Sequence, residues 1–222
     1  MRRRVGIIVA VLALLGAGTS FAEPQPILEL GNGPGERPPP PGPQVFLSPS
    51  GQPFRAPRGQ PYPVVLWFAQ ADADHDGRLT RAEFQADAEA WFKFLDADGN
   101  GLVGMIEVTH WEEAVAPEVS GPAPPSRRRE RPAGRNELDT RRQGASAYSL
   151  INEPHPIRGA DADYSFAVSL TEWRAATARR FAALDPDGDG VILLTDLKPT
   201  PAQAVAESEG KARKATARAP RR

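Results

Sequence analysis

The sequence predicts an all-α fold built from helix–loop–helix units, arranged as two pairs of units with irregular segments around them. Three observations support this fold class. Acidic twelve-residue loops recur along the chain, apolar residues flank the loops at helical spacing, and the loops of one half recur in the other half at a constant offset of 89 residues. An internal repeat of this kind indicates that one structural unit is used twice.

The composition divides the chain into unlike segments. Its 222 residues include 24 Pro, 20 Gly and no Cys, which excludes a disulfide framework, a zinc ribbon and a Cys-ligated cluster. The formal net charge of -1 argues against a nucleic-acid partner. This charge is an average, because residues 62–116 carry eleven acidic and three basic residues, whereas residues 117–146 and 199–222 are net basic.

The amino-terminal segment has the parts of a secretory signal peptide. Residues 2–4 are arginine, residues 5–18 form an apolar run, and small residues occupy positions 20 and 22. This pattern predicts cleavage after Ala22 and a periplasmic or secreted protein. The apolar run is shorter than the roughly 20 residues of a membrane-spanning helix. No later stretch is apolar enough to span, so we expect no transmembrane segment after cleavage.

Shifts in composition mark six segments. In chain order they are a signal peptide 1–22, a Pro/Gly-rich disordered segment 23–61, a first helix–loop–helix pair 62–116, a Pro/Arg-rich linker 117–146, a second pair 147–198 and a basic disordered tail 199–222. We expect disorder in the Pro-rich segment because it lacks the apolar side chains that a core needs. The tail is expected to fray because it lies at the chain terminus.

Residues 72–83, called loop I, have the spacing of a calcium-binding loop. Carboxylates stand at positions 1, 3, 5 and 12, which are Asp72, Asp74, Asp76 and Glu83. Calcium prefers six to eight oxygen ligands at about 2.3–2.6 Å, and a Glu at position 12 supplies two of them. Position 7 binds through its backbone carbonyl, so Arg78 is a candidate ligand despite its side chain. Gly77 at position 6 permits the sharp turn with positive φ.

Two further loops repeat this spacing. Loop II, residues 96–107, offers Asp96, Asp98, Asn100, the carbonyl of Leu102, and Glu107. Loop IV, residues 185–196, offers Asp185, Asp187, Asp189, the carbonyl of Val191, and Asp196. The shorter Asp196 at position 12 favours a lower coordination number. We therefore expect weaker calcium binding at loop IV, or tolerance of magnesium.

The 89-residue offset reveals a fourth loop at residues 161–172, called loop III. Its candidate ligands are Asp161, Asp163, Ser165 and Glu172. Phe166 stands at position 6, where the other loops have glycine, and a bulky residue at positive φ is energetically costly. Two interpretations remain at this point: a weak metal site, or a degenerate loop kept as a structural partner.

Apolar residues before and after the loops mark the inner faces of the expected helices. They are Phe68, Phe92, Ile157 and Phe181 on the entering side, and Phe84, Val108, Trp173 and Leu197 on the leaving side. With these flanks, the four loops resemble the EF-hand superfamily, and more narrowly secreted or periplasmic bacterial EF-hand proteins. The resemblance covers about 72–108 and 161–197. It implies a helix–loop–helix fold with calcium as the ligand.

The spacing between consecutive loops is shorter than in familiar EF-hand pairs. Only residues 84–95 separate loop I from loop II, and only residues 173–184 separate loop III from loop IV. Twelve residues form one helix of roughly 18 Å, which would place consecutive loops at its opposite ends. Two arrangements are consistent with this spacing: the loops pair between the halves in one four-loop domain, or the halves are independent modules.

The expected function is calcium binding by an exported sensor, buffer or calcium-dependent interaction protein with a protein or cell-envelope partner. The alternative is a permanently calcium-loaded spacer of the cell envelope. His75, His110 and His155 are dispersed, and no nucleophile or base stands apart from the candidate ligands. We therefore expect no enzymatic activity.

Overall fold

The computed structural model describes residues 42–121 and 142–218, with side chains as far as residue 211. The predictions for the signal peptide, for residues 23–41 and for the centre of the linker lie outside these residues. The α-helices are α1 (Val64–Ala71), α2 (Arg81–Leu95), α3 (Met105–His110), α4 (Leu170–Leu184) and α5 (Pro201–Arg218). Within the described residues, no helix is both long and apolar enough to cross a membrane.

Short elements fill the spaces between these helices. The strands are β1 (Gln44–Leu47), β2 (Pro53–Ala56), β3 (Leu79–Thr80), β4 (Leu102–Val103), β5 (Val168–Ser169) and β6 (Val191–Ile192). A π-helical turn spans Trp111–Val115, and 3₁₀ turns span Pro117–Val119, Gly144–Ala147, Arg158–Ala160 and Leu194–Asp196. The strands β3 to β6 each lie within one of the four loops.

Helices α2 and α4 each connect two consecutive loops, as the short spacing predicted. Each is 15 residues long, and the two pack against each other. The indole N–H of Trp173 on α4 donates to the backbone carbonyl of Ala88 on α2 at 2.7 Å, and Arg174 pairs with Glu89 at 2.7 Å. These contacts join the two sequence halves along their central helices.

The loops pair between the halves. Strand β3 of loop I is antiparallel to β6 of loop IV, with Leu79 opposite Ile192. Strand β4 of loop II is antiparallel to β5 of loop III, with Val103 opposite Val168. The arrangement as one packed unit is therefore the correct one of the two considered. It also corrects the grouping into pairs 62–116 and 147–198, because a helix of about 22 Å keeps consecutive loops apart.

Each strand pair lies in its own hydrophobic core, and we call the two parts lobe A and lobe B. Lobe A surrounds loops I and IV, and its buried residues are Phe46, Tyr62, Val64, Trp67, Phe68, Ala71, Leu79, Phe84, Phe181 and Ile192. Lobe B surrounds loops II and III, and its buried residues are Leu47, Trp91, Phe92, Leu95, Val103, Val108, Trp111, Ala116, Ala145, Ile157, Ala160, Val168, Trp173 and Ala176. The apolar flanks identified in the sequence supply much of both cores.

The prediction of disorder for residues 23–61 is wrong where β1 and β2 form an antiparallel hairpin. Phe46 and Leu47 are fully buried, one in each core, and the Leu47 N–H donates to the carbonyl of Tyr148 at 3.1 Å. Gly51 closes the turn at φ 86. The average composition concealed this short apolar run among Pro and Gly. The hairpin also means that the fold is not purely α-helical.

The prediction of a disordered tail is likewise wrong for residues 201–218, which form α5. Thr200 is fully buried, and its hydroxyl accepts from the N–H of Gln203 at 3.1 Å while also contacting the Tyr62 hydroxyl at 2.9 Å. Pro201 begins the helix, where its missing N–H costs nothing. A threonine followed by a proline is a helix-start signal that the tail-like composition obscured.

Candidate metal centres

The four loops follow the same backbone path at positions 4 and 6. Position 4 has positive φ at His75 (59°), Gly99 (71°), Tyr164 (60°) and Gly188 (73°). Position 6 has positive φ at Gly77 (82°), Gly101 (84°), Phe166 (65°) and Gly190 (83°). Loop III therefore adopts the turn of the other loops although neither position is glycine, and its two aromatic side chains carry the cost of the left-handed region.

The first carboxylate of every loop fixes this turn. Its Oδ2 accepts from the N–H at position 6, at 2.9 Å in loop I, 2.9 Å in loop II, 3.0 Å in loop III and 3.1 Å in loop IV. In loops I, II and IV the side-chain Oδ1 at position 5 accepts from the N–H at position 7, at 2.7 to 2.9 Å. These bonds curl each chain segment around a common centre. The bonds from position 5 anchor Arg78, Leu102 and Val191, whose backbone carbonyls are the predicted metal ligands at position 7.

The glutamate at position 12 closes loops I, II and III. One of its oxygens accepts from the N–H at position 2, at 3.1 Å for Glu83, 3.0 Å for Glu107 and 2.9 Å for Glu172. The other oxygen accepts from the N–H at position 9, at 2.9, 2.7 and 2.9 Å respectively. Each glutamate thus directs both oxygens back toward its own loop.

Position 9 holds the residues that the sequence reasoning missed. Thr80 and Ser169 cap the helices that follow, and their hydroxyls also donate to Glu83 and Glu172 at 2.7 and 2.8 Å. The pattern Thr/Ser-x-x-Glu is a capping box, which is readable from sequence alone. In this protein the capping box also fixes the candidate metal ligand.

The structure brings three of the candidate carboxylates together within each loop, and the groups of loops I and IV do not include Glu83 and Asp196. In every group below, one side-chain oxygen from each member lies within 4.8 Å of the others. The groups are Asp72, Asp74 and Asp76; Asp96, Asp98 and Glu107; Asp161, Asp163 and Glu172; and Asp185, Asp187 and Asp189. All four predicted loops therefore present a compact set of carboxylates.

Two carboxylate oxygens lack the hydrogen-bond partners that their burial requires. Oδ1 of Asp72 and Oδ1 of Asp96 are buried and have no hydrogen-bond partner. Asp72 as a whole is only 4% exposed. A buried carboxylate oxygen without a partner costs free energy, because the group has lost its water. Both orphan oxygens belong to position 1, where an EF-hand loop binds its ion, so loops I and II fit calcium.

Loop IV departs from this pattern at its end. Asp196 lies in a 3₁₀ turn, is exposed, and its Oδ1 accepts from the hydroxyl of the adjacent Thr195 at 3.2 Å. Position 2 is Pro186, which has no N–H to bond a residue at position 12. Both oxygens of Asp185 accept from loop N–H groups instead, those of Gly188 and Gly190. Loop IV therefore brings its first three carboxylates together, but no hydrogen bond from position 2 holds the residue at position 12.

Loop III keeps the closing glutamate but changes position 5. The Ser165 hydroxyl donates to the carbonyl of Ala167 at 2.9 Å. That carbonyl is the position-7 oxygen, which serves as a ligand in an EF-hand loop. Loop III thus has one carboxylate fewer than loop I among its first five positions and a position-7 carbonyl already in use.

Hydrogen bonding favours the ionised form of Glu83 and Glu172. The Thr80 hydroxyl, followed by the Thr80 N–H, holds the pKa of Glu83 below its usual value. The Ser169 N–H, followed by its hydroxyl, does the same for the pKa of Glu172. At neutral pH these carboxylates are charged, which is the form that binds a metal ion.

The comparison with known families agrees with the geometry of lobe A. Residues 64–86 match the family model described as EF hand, a span that covers α1, loop I and the start of α2. The match and the carboxylate groups support an EF-hand calcium-binding protein. A search of curated proteins finds no match to this chain.

Proposed function

We propose that this protein binds calcium at two principal sites, one in each lobe, formed by loops I and II. The observation that carries the proposal is the pair of orphan oxygens, Asp72 Oδ1 and Asp96 Oδ1, inside loops that already have EF-hand geometry. Loops III and IV would act first as structural partners, through β5 and β6. Both would bind metal more weakly, and loop IV, with few protein oxygens, would also accept magnesium.

The chemistry of binding is charge neutralisation. Three or four carboxylates within a few ångströms repel one another, and a divalent ion relieves that repulsion while satisfying the buried oxygens. The closing glutamates lie in the first turns of α2, α3 and α4. An ion bound to them would therefore stabilise the N-termini of these helices. Calcium binding should therefore stabilise α2, α3 and α4 together with the paired strands.

We further propose an exported protein, periplasmic or secreted, on the basis of the signal-peptide pattern in residues 1–22. Outside the cytosol a site in the weak class of about 10⁻⁴–10⁻³ M is sufficient. The role would be calcium sensing, buffering or calcium-dependent contact with a protein or envelope partner, without catalysis. Exposed apolar side chains on lobe B, Met105, Ile106, Tyr164 and Phe166, favour the interaction role over a spacer.

Calorimetric titration of the full chain with calcium tests the proposal. We expect two tighter ions and at most one or two weaker ones. Glu83→Gln and Glu107→Gln should each remove one tight site. The calcium affinity of the altered site should fall by at least the roughly 10- to 100-fold that is typical when a group supporting a metal ligand is mutated. Glu113→Gln is the matched control, because Glu113 is exposed and lies in the π-helical turn after loop II. Fewer than one ion per chain would contradict the proposal.

A further inference from the structure

A histidine–glutamate contact joins the segment that leaves loop II to the segment that enters loop III. His155 Nε2 lies 2.8 Å from Glu112 Oε1, and the same oxygen accepts from Nη2 of Arg158 at 3.1 Å. Glu112 is in the π-helical turn after α3, and Arg158 begins the 3₁₀ turn before Asp161. The two side chains of the contact are mostly buried, with 21% and 24% exposed.

The hydrogen bonds define which imidazole nitrogen carries the proton. His155 Nδ1 accepts from the backbone N–H of Arg158 at 3.1 Å, so Nδ1 has no proton. In the neutral ring Nε2 then carries the proton and donates to Glu112. Protonation of His155 would place a second N–H at Nδ1, facing the Arg158 N–H. The charged ring therefore loses its bond to the Arg158 N–H and keeps its bond to Glu112.

The hairpin shields this contact from water. The His155 ring lies against the Trp111 ring, with 5.0 Å between centroids, and the Trp111 indole N–H donates to the carbonyl of Gly51 at 2.9 Å. Gly51 also packs on Pro156, since a Cβ at Gly51 would lie 2.7 Å from Pro156 Cγ. The turn of the β1–β2 hairpin thus covers the contact that joins loops II and III.

Two charged groups face His155, and they act in opposite directions. Glu112 on the π-helical turn favours the charged ring, and Arg158 on the 3₁₀ turn disfavours it. The covering turn, residues 48–51, contains Ser, Pro and Gly and no charged side chain. Burial is the largest influence, and it leaves the pKa of His155 below its usual value of 6.5. The unfolded chain therefore takes up more protons near pH 6, so stability falls as the pH drops below about 6.5.

We propose that His155, Glu112 and Arg158 form a pH-sensitive clasp that holds the segments flanking loops II and III, so that acidification loosens lobe B and leaves lobe A intact. The loss of the Arg158 N–H bond frees the turn that precedes Asp161. Glu112 attracts the charged ring and so opposes the loosening, but burial of the charge is the larger influence on His155. The part of the proposal that concerns metal rests on the proposed calcium binding, whereas the clasp itself does not.

The first test uses metal-free protein in the presence of a chelator. The imidazole nitrogen shifts of the full chain, followed by NMR from pH 8 to pH 5, should show Nε2 protonated and Nδ1 unprotonated at pH 8, with a midpoint below 6.5. Urea unfolding at pH 7.5 and 5.5 should show a lower midpoint at pH 5.5. His155→Gln should reduce this difference, and the control His110→Gln, at an exposed position on α3, should retain it.

A reversed tautomer, a His155 midpoint at or above 6.5, or equal pH dependence in the wild type and in His155→Gln would overturn the clasp. If His155→Gln fails to fold, Glu112→Gln replaces it. The neutral amide can still accept from Nε2 but no longer favours the charged ring, so its pH dependence should be steeper than that of the wild type. A shallower pH dependence in Glu112→Gln would also overturn the clasp.

The second test measures calcium binding at pH 7.5 and 5.5. The dissociation constant of the site in loop II should rise on acidification by a larger factor than that of the site in loop I, because only lobe B contains the clasp. His155→Gln should remove this excess, and an excess that persists in His155→Gln would contradict the link to metal. An absence of calcium binding at pH 7.5 would refute the proposed function while the metal-free test of the clasp still stands.

Discussion

Lobes A and B are built from corresponding parts of a repeated sequence, yet each deviates from the standard loop in a different way. Lobe A pairs loop I, which Glu83 closes, with loop IV, whose Asp196 lies in an exposed 3₁₀ turn. Lobe B pairs the regular loop II with loop III, which has the closing glutamate but aromatic residues in its turn. Pairing between the halves therefore gives each lobe one regular and one altered loop.

The comparison of loop I with loop III shows what determines the turn. Gly77 and Phe166 occupy the same position, have φ values of 82° and 65°, and donate to the first aspartate at 2.9 and 3.0 Å. Phe166 is 71% exposed, so core packing of its own ring does not hold it in this conformation. The strand pairing and the Ser169–Glu172 capping box impose the path, and glycine only makes that path less costly.

The lobes also differ at their surfaces. Tyr164 and Phe166 are 82% and 71% exposed in lobe B, where lobe A has His75 and Gly77. Met105, at the start of α3 in the same lobe, is also 60% exposed. Lobe B therefore presents two aromatic side chains at positions where lobe A has a histidine and a glycine.

The largest expected effect comes from the tryptophan that joins the halves. Trp173→Ala should lower the free energy of unfolding by about 3–5 kcal/mol, because it removes a fully buried ring from lobe B along with its bond to Ala88. The matched Trp67→Ala should have an effect of similar size in lobe A. Urea unfolding measures both, with Leu66→Ala as a control at a half-exposed position. If Trp173→Ala lowers the free energy of unfolding by less than Leu66→Ala does, α2 and α4 do not depend on each other for stability.

A smaller effect is expected at position 6. Phe166→Gly should raise the free energy of unfolding by about 1 kcal/mol in metal-free protein, because it removes the cost of a side chain in the left-handed region. The reverse change in lobe A, Gly77→Phe, should lower it by at least the same amount. The same urea experiment compares the two. Destabilisation by Phe166→Gly would mean that the exposed ring makes a contact that stabilises loop III.

The spacing of acidic residues was sufficient to predict the loops, because metal coordination requires fixed positions in a short segment. It also predicted the single connecting helix, since twelve residues have room for no more. The choice between paired halves and separate modules depended on contacts distant in sequence, such as Trp173 with Ala88. No local pattern encodes such a contact.

Two elements were missed for a different reason. The hairpin and α5 lie in segments whose overall composition resembles disordered chain, and each depends on burial by the rest of the protein. Phe46 and Leu47 are buried only because both lobes cover them, and Thr200 is buried beside Tyr62. The exposed position of Asp196 has a local cause instead, because Leu193 at position 9 is not a capping residue and a 3₁₀ turn follows it.

The most direct test of the central claim, that loops act in pairs I with IV and II with III, is a calcium titration of Glu83→Gln followed through backbone amide resonances. The account predicts that loop I loses its response and that Ile192, paired with Leu79, changes its titration. Val103 and Val168 in lobe B should respond as in the wild type. An altered response at Val103 together with an unchanged one at Ile192 would contradict the pairing, because it would mean that consecutive loops are coupled through α2.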